Sequence, residues 1–355
     1  MHITTKLTLL TLAVSFLCFT GCSKSNPEKE KDEGMPPPTL QAPKSDIFSS
    51  QRYMGINYGP YHYNNEAPGT AIPLSRIKED MKMIAKNFHF IRTYTVADGM
   101  DKVVAEAAAN DIEVALGVHC YPNNANKTKA DIDLAVKAAK AHIKTVQAIV
   151  VGNETNLIVG EYVPDNQVAQ YMDYARKQMN SAGLKNTTVT SCITGVGGLA
   201  NGMGDSRGCP QIMKKCKDLN GDGRRTIFMT IYPYWGQKTN NQNSPGNIAG
   251  NMEWSYNNGM QQAENMGLSV VIGEIGWPSG GDNANLENVA NQAINFKTTL
   301  EWVKGNNIYR KAFNTLWFSM FDEPWKHAEP NGVGPHWGIY GPNGAKTPKF
   351  PIPAM

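Results

Sequence analysis

VVIGEIGWPSGG, residues 270–281, decides how the fold is read. An apolar run suited to a buried strand ends on Glu274, and a Gly-Trp-Pro-Ser-Gly-Gly turn follows at once. Burying a carboxylate costs several kcal/mol or more unless it is paired or hydrogen-bonded. A carboxylate at a strand exit therefore needs a structural partner or a chemical task. A second run, IVVGNETNL from Ile149 to Leu157, has the same form and ends on Asn153 and Glu154.

Working outward, eight short runs rich in β-branched and aromatic residues follow one another: RYMGINYG, FHFIRTYT, IEVALGVHC, VQAIVVGNE, TVTSCITG, TIFMTIYPY, LSVVIGEIGW and AFNTLWFSMF. Several are almost continuously apolar, as strands buried on both faces are. Helical periodicity fills the gaps. Val168, Tyr171, Met172, Ala175 and Met179 share one face between Pro164 and Gly183. Leu286, Val289, Ala290, Ala293, Phe296 and Leu300 form a stripe stopped by Gly305, and Leu74, Ile77, Met81 and Ile84 form a third. Strands alternating with helices around one core predict an α/β fold, a (β/α)8 TIM barrel with a single catalytic domain. An open doubly wound sheet is the competitor, but no glycine-rich phosphate loop follows the first strand.

In a barrel, side chains at strand C-termini line the active site. Glu154 ends the fourth strand and Glu274 the seventh, on opposite sides of the opening. Facing carboxylates ~5 to 5.5 Å apart suit retaining glycoside hydrolysis, one as acid/base and one as nucleophile. The plainer alternative is that each glutamate pairs with an arginine or lysine at the rim. Tyr58, Tyr94, Tyr121, Tyr232, Tyr234, Trp235, Trp277, Trp317 and Trp325 also fall at or after strand ends. Flat rings with polar edges suit sugar faces, although large aromatics are common in cores.

GINYG, VVGNE, IYPY, GEIGWPSGG and FDEPWK, in this order, resemble glycoside hydrolase family 17, the β-1,3-glucanase family, from about Tyr53 to Phe350. The resemblance implies a (β/α)8 barrel and retaining cleavage of β-1,3-glucan such as laminarin. It implies Glu154 as acid/base, Glu274 as nucleophile, and Asn153 as the partner of the sugar 2-hydroxyl. It also implies that Tyr232 or Tyr234 orients the nucleophile, and that Glu323 and Lys326 lie close to the catalytic centre. Tyr58, Tyr94 and Trp277 join them as expected substrate contacts, and Lys326 is expected to help keep Glu274 charged. One departure stands out: Gly334 occupies the place where the family often has glutamate, and Glu329 lies five residues earlier. This chemistry requires no cofactor and no metal. A glucan transglycosylase on the same scaffold and a non-catalytic glycan-binding lipoprotein are the alternatives; the presence of both glutamates disfavours the latter.

The ends and the composition bound the rest. KLTLLTLAVSFLCFTGC reads as a secretory signal, with an apolar stretch too short to span a bilayer. Phe19-Thr20-Gly21-Cys22 resembles a bacterial lipobox with Phe19 in place of the usual leucine. Residues 1–21 are expected to be removed, Cys22 to carry lipid, and 22–50, polar and proline-rich, to form a disordered tether to a domain at 51–355. That places the protein in the bacterial cell envelope, anchored to the outer membrane by lipid alone. The net charge of +3, without a basic cluster, gives no sign of a nucleic-acid partner, and a monomer is expected. Buried free thiols are expected for Cys120 and Cys192, and a Cys209–Cys216 bridge would need Cys209 in a loop. DLNGDGRRT, residues 218–226, partly matches a calcium loop, but Met229 stands where a bidentate glutamate is needed, so a turn into the sixth strand is the stronger reading. The histidines show no metal-ligand spacing; His119, at a strand end, is the one placed to reach substrate.

Overall fold

The computed structural model describes residues 47–48, 53–158, 162–195, 206–221, 223–235 and 245–355. The expected signal, the lipid site at Cys22 and nearly all of the tether lie outside the described residues.

All eight expected strands form: β1 (Met54–Asn57), β2 (Phe90–Arg92), β3 (Glu113–Val118), β4 (Val146–Asn153), β5 (Thr188–Thr194), β6 (Thr226–Thr230), β7 (Ser269–Ile275) and β8 (Thr315–Trp317). Each pairs in parallel with the next, and β1 pairs with β8 through Gly55 and Leu316, so the barrel closes. Close approach of backbones demands glycine at position 117, where a Cβ would sit 2.1 Å from the Thr93 carbonyl oxygen. The helices are α1 (Leu74–Ile84), α2 (Val103–Ala108), α3 (Ala125–Ala141), α4 (Asp165–Ser181), α5 (Pro210–Asp218), α6 (Ile248–Ser255), α7 (Gln261–Asn265) and α8 (Val289–Val303). One π turn, Tyr256–Met260, joins α6 to α7.

The stripe on α4 is buried as expected. That on α8 is not the one its apolar residues suggest. Leu286 precedes the helix and Val289 is exposed, while Gln292, Asn295 and Thr299 are buried beside Phe296 and Leu300. Gln292 is tolerated there because its amide donates to the carbonyls of Trp277, Trp337 and Gly338. In α1, Leu74 likewise faces outward.

Inside the barrel, Phe90, Ala115, Ala148, Val150, Cys192, Phe228, Val271 and Leu316 form a separate apolar cluster, and Ile47 and Phe48 complete it. Phe48 stacks on Phe90, the first residue of β2, with ring centroids 4.2 Å apart. The domain limit expected at residue 51 is therefore too late, because Ile47 and Phe48 close the floor of the barrel. Burying each such side chain stabilises the fold by about 1.5–3 kcal/mol. Two apolar residues after a polar stretch leave too little pattern to reveal this from sequence.

Cys120, Cys192, Cys209 and Cys216 are all free and buried. Cys209 does sit in the loop, as the residue before α5, yet no bridge forms. In the calcium-like segment, Asn220 is committed to the fold: its amide donates to the Val189 and Cys216 carbonyls and accepts from Val189 N–H. Asp222 of that segment lies outside the described residues. Among the described residues no group of His, Cys, Asp or Glu is arranged to hold a metal ion, and no helix is long and apolar enough to cross a membrane.

Candidate active site

The site grows from the C-terminal ends of β2, β4, β6 and β7. Register shifts interrupt the pairing of β4 with β5 after Val150, of β6 with β7 after Met229, and of β7 with β8 after Ile272. Such irregularities re-aim strand-end side chains. At the end of β4 the turn is sharp: Gly152 has φ of 80° and Glu154 has φ of 47°. A non-glycine residue held in this left-handed region is strained, and such residues cluster at functional sites. The Glu154 N–H donates to the Cys192 carbonyl at 2.8 Å, which fixes the turn.

Thr230 brings the two carboxyls into one cluster. Its hydroxyl donates to Glu154 Oε1 at 2.5 Å, while its backbone pairs with Glu274 on the adjacent strand. Arg92 completes the base of the pocket. It is fully buried, and its guanidinium donates to Glu274 Oε1 at 3.0 Å, to Asn153 Oδ1 at 2.5 Å and to the Gly273 carbonyl at 3.3 Å. The Tyr232 hydroxyl donates to the other Glu274 oxygen at 2.6 Å. Glu274 is thus buried with a donor on each oxygen, which fixes the orientation of its carboxyl.

Glu154 differs. Burial, and next the negative charge of Glu274, push its carboxyl up to about 7, against the opposing effects of the Thr230 hydrogen bond and Arg92. The pocket therefore holds a carboxylic acid that is available as a proton donor near neutral pH beside a carboxylate oriented by two donors. That pairing of roles is the requirement for glycoside cleavage by two carboxyl groups.

The other expected site residues divide. Tyr94 is in the pocket, with the Arg92 guanidinium 4.8 Å from its ring centre and Phe318 against its edge. Of the two tyrosines after β6, Tyr232 orients Glu274, whereas Tyr234 is buried and donates to Glu287 at 2.6 Å. Tyr58 is not a substrate contact: it is fully buried, and its hydroxyl donates to Asp80 of α1 at 2.8 Å. Trp277 is also core, with its indole N–H on the Leu286 carbonyl. Trp317 packs on Phe296 in the same way. Lys326 does not pair with Glu274. It binds Glu323 at 2.7 Å and covers the Phe318 ring at 4.2 Å, so Arg92 takes the role expected of it. Glu323 is buried in that pair. His119 stands edge-on to Tyr121, with centroids 4.5 Å apart.

Sequence reasoning missed Arg92 and Thr230, and named Glu329 only as lying five residues before Gly334. The signal for Arg92 was a single charge inside the apolar run FHFIRTYT.

Acid and carboxylate at the fourth and seventh strand ends of a closed parallel barrel define a (β/α)8 glycoside hydrolase. More narrowly, the chain belongs to the BtgE/BtgC glycoside hydrolase domain family, whose sequence model matches residues 55–338, and so to glycoside hydrolase family 17. Among its relatives is the probable family 17 glucosidase SCW4 of Saccharomyces cerevisiae, 24% identical over 80% of this chain and 64% of the yeast protein. The chain thus spans somewhat less than two thirds of that relative. The glucan endo-1,3-beta-D-glucosidase of Olea europaea is 23% identical over 84% of this chain and 70% of its own length. Among solved structures, a family 17 beta-1,3-glucanosyltransferase from Rhizomucor miehei superposes with a TM-score of 0.64 at 23% identity, covering 86% of this chain and 99% of that one. An endo-laminarinase from Formosa gives 0.63 at 19% identity, covering 84% of each chain. These structures share the fold.

Proposed function

We propose that this protein is a retaining glycosidase that cleaves β-1,3-glucan, of the laminarin type, within the chain by double displacement. The observation that carries the reading is the unequal pair: Glu154 raised to about 7 beside a Glu274 gripped by Arg92 and Tyr232. Related proteins named for 1,3-β-glucan support the substrate. In the first step a Glu274 oxygen attacks the anomeric carbon, the glycosidic C–O bond breaks, and the Glu154 proton passes to the leaving oxygen. In the second step Glu154, now a carboxylate, takes a proton from water, whose oxygen attacks the same carbon and frees Glu274. A sugar hydroxyl in place of water would make the product a transglycosylation product. The test is product analysis on laminarin over time: shortening oligosaccharides with retained anomeric configuration are expected, longer ones would assign transfer, and no turnover would sink the reading.

The acid role sets the pH dependence. Glu154 must be protonated for the first step, so kcat/KM on laminarin is expected to fall about tenfold per pH unit above pH about 7. An aryl β-glucoside with a good leaving group needs little protonation and should lose that alkaline limb. A limb that persists unchanged with both substrates would argue against Glu154 as the acid.

We further infer envelope anchoring through lipid on Cys22, supported by the apolar stretch and the Phe19-Thr20-Gly21-Cys22 pattern. Cys22→Ser should move the protein from the membrane fraction to the soluble fraction of the producing cell. Equal partitioning of both forms would remove the anchor.

A further inference from the structure

Position 334 has no room for a side chain. A Cβ on Gly334 would lie 1.9 Å from the Lys326 carbonyl oxygen and 2.7 Å from the Glu329 Cβ. Glu329 instead lines that space from a different place in the chain. Its Oε2 accepts from the Trp337 indole N–H at 2.7 Å. Trp337 is 2% exposed, and its ring stands edge-on to Tyr232, centroids 5.3 Å apart, and against Phe318 at 5.9 Å. Tyr232 in turn holds Glu274. A contiguous path runs from a carboxylate on the loop after β8 to the reacting carboxylate on β7.

We propose that Glu329 is a positioning residue for the catalytic pair, fixing the Trp337 indole as the wall against which Tyr232 presents its hydroxyl to Glu274. The proposal rests on Glu274 being the nucleophile. An indole hydrogen-bonded to a carboxylate is fixed in rotation about its side-chain bonds, so a phenol packed edge-on to it has one resting place. A loosened wall lets Tyr232 drift, and small misplacements of reacting groups are costly in rate. Charge adds a second effect. The groups facing Glu329 are Lys326, Glu274 and Glu323, and those facing Glu154 are Glu274, Arg92 and Glu329, with Tyr232 and Cys192 close by. The negative charge of Glu329 therefore adds to burial and Glu274 in keeping Glu154 protonated.

Two variants separate these effects. Glu329→Ala removes both the hydrogen bond and the charge; Glu329→Gln keeps an accepting oxygen and removes the charge alone. With laminarin as substrate, Glu329→Ala is expected to lower kcat about tenfold or more with KM within about twofold. Glu329→Gln should keep most of kcat and shift the alkaline limb of kcat/KM to lower pH. Independently of turnover, the indole N–H proton resonance of Trp337 should move upfield in Glu329→Ala and much less in Glu329→Gln. An unmoved indole resonance would overturn the proposal, as would a Glu329→Ala protein with lowered melting temperature but wild-type kcat per folded molecule. An inactive wild-type protein whose indole resonance still moves in Glu329→Ala would sink the glucanase reading while upholding the Glu329–Trp337–Tyr232 linkage.

Discussion

Glu274→Gly is expected to lose hydrolysis of laminarin by about 10⁴-fold or more, because a nucleophile has no substitute in double displacement. The fold should survive. Glu274 ends β7 with its carboxyl in the pocket, held by Arg92 and Tyr232, so no apolar packing is lost. The vacancy left on the α face of the sugar should admit an α-glucosyl fluoride, which mimics the covalent intermediate. Glu154 would still serve as base toward an acceptor sugar, so new β-1,3 bonds should form without hydrolysis of the product. Glu154→Ala should fail differently. A substrate with a good leaving group needs no acid and should still load Glu274, and added azide should restore turnover as a β-glycosyl azide, since two inversions retain configuration. An α-azide from Glu154→Ala would exchange the two roles, and an inverted anomer from the wild-type protein would remove the retaining mechanism.

Arg92→Ala should cost nearly as much. Arg92 is buried and holds three acceptors at once: a Glu274 oxygen, the Asn153 amide oxygen and the Gly273 carbonyl. Its removal leaves Glu274 buried with Tyr232 as its remaining donor, and losing one partner of a buried ion pair typically costs about 3–5 kcal/mol of stability. Losing a preorganised donor at the reacting carboxylate is expected to lower kcat by about 10²–10³-fold. Arg92→Lys should not rescue, because a single ammonium cannot span three acceptors on two strands, β4 and β7, as a planar fork does. The measurement is kcat on an activated aryl β-glucoside, below the melting temperature of each variant. Activity of Arg92→Lys within about twofold of wild type would show that charge alone, and not the fork, is what matters.

The barrel was legible because its strands are buried on both faces and read as apolar runs, while their carboxylate-bearing ends do not fit a core. Which aromatics face the pocket was less legible, and the reason is parity. Side chains alternate along a strand. Asn57 points inward, where its amide donates to the Gly273 and Leu316 carbonyls, so Tyr58, one residue on, points out to Asp80 of α1. Arg92 points inward, so Tyr94, two residues on, lies with it. Thr230 reaches Glu154, and Tyr232, again two residues on, reaches Glu274. The alternation carries on for a residue or two past the strand ends, and Tyr234 breaks it because it lies in a 3-10 turn, Pro233–Trp235. Without one inward residue known in advance, the sequence alone could not choose between the two sets. The role of Glu329, named in the sequence only by its distance from position 334, was hidden for another reason. Its relation to position 334 is spatial, set by a loop that folds Glu329 against Gly334.

The floor formed by Ile47 and Phe48 also governs where the molecule can be gripped. Phe48 sits on the first residue of β2, so the chain enters the barrel at the end remote from Glu154 and Glu274. Near the other terminus, Lys349 is pinned to Ser279 and Asp322, in the loops that follow β7 and β8 beside the pocket. The two places are therefore unequal as handles. Immobilisation on a solid support at the barrel end closed by Ile47 and Phe48 leaves the mouth open to a polymer, whereas attachment at Lys349 places the support beside the loops after β7 and β8, where a long glucan would have to approach.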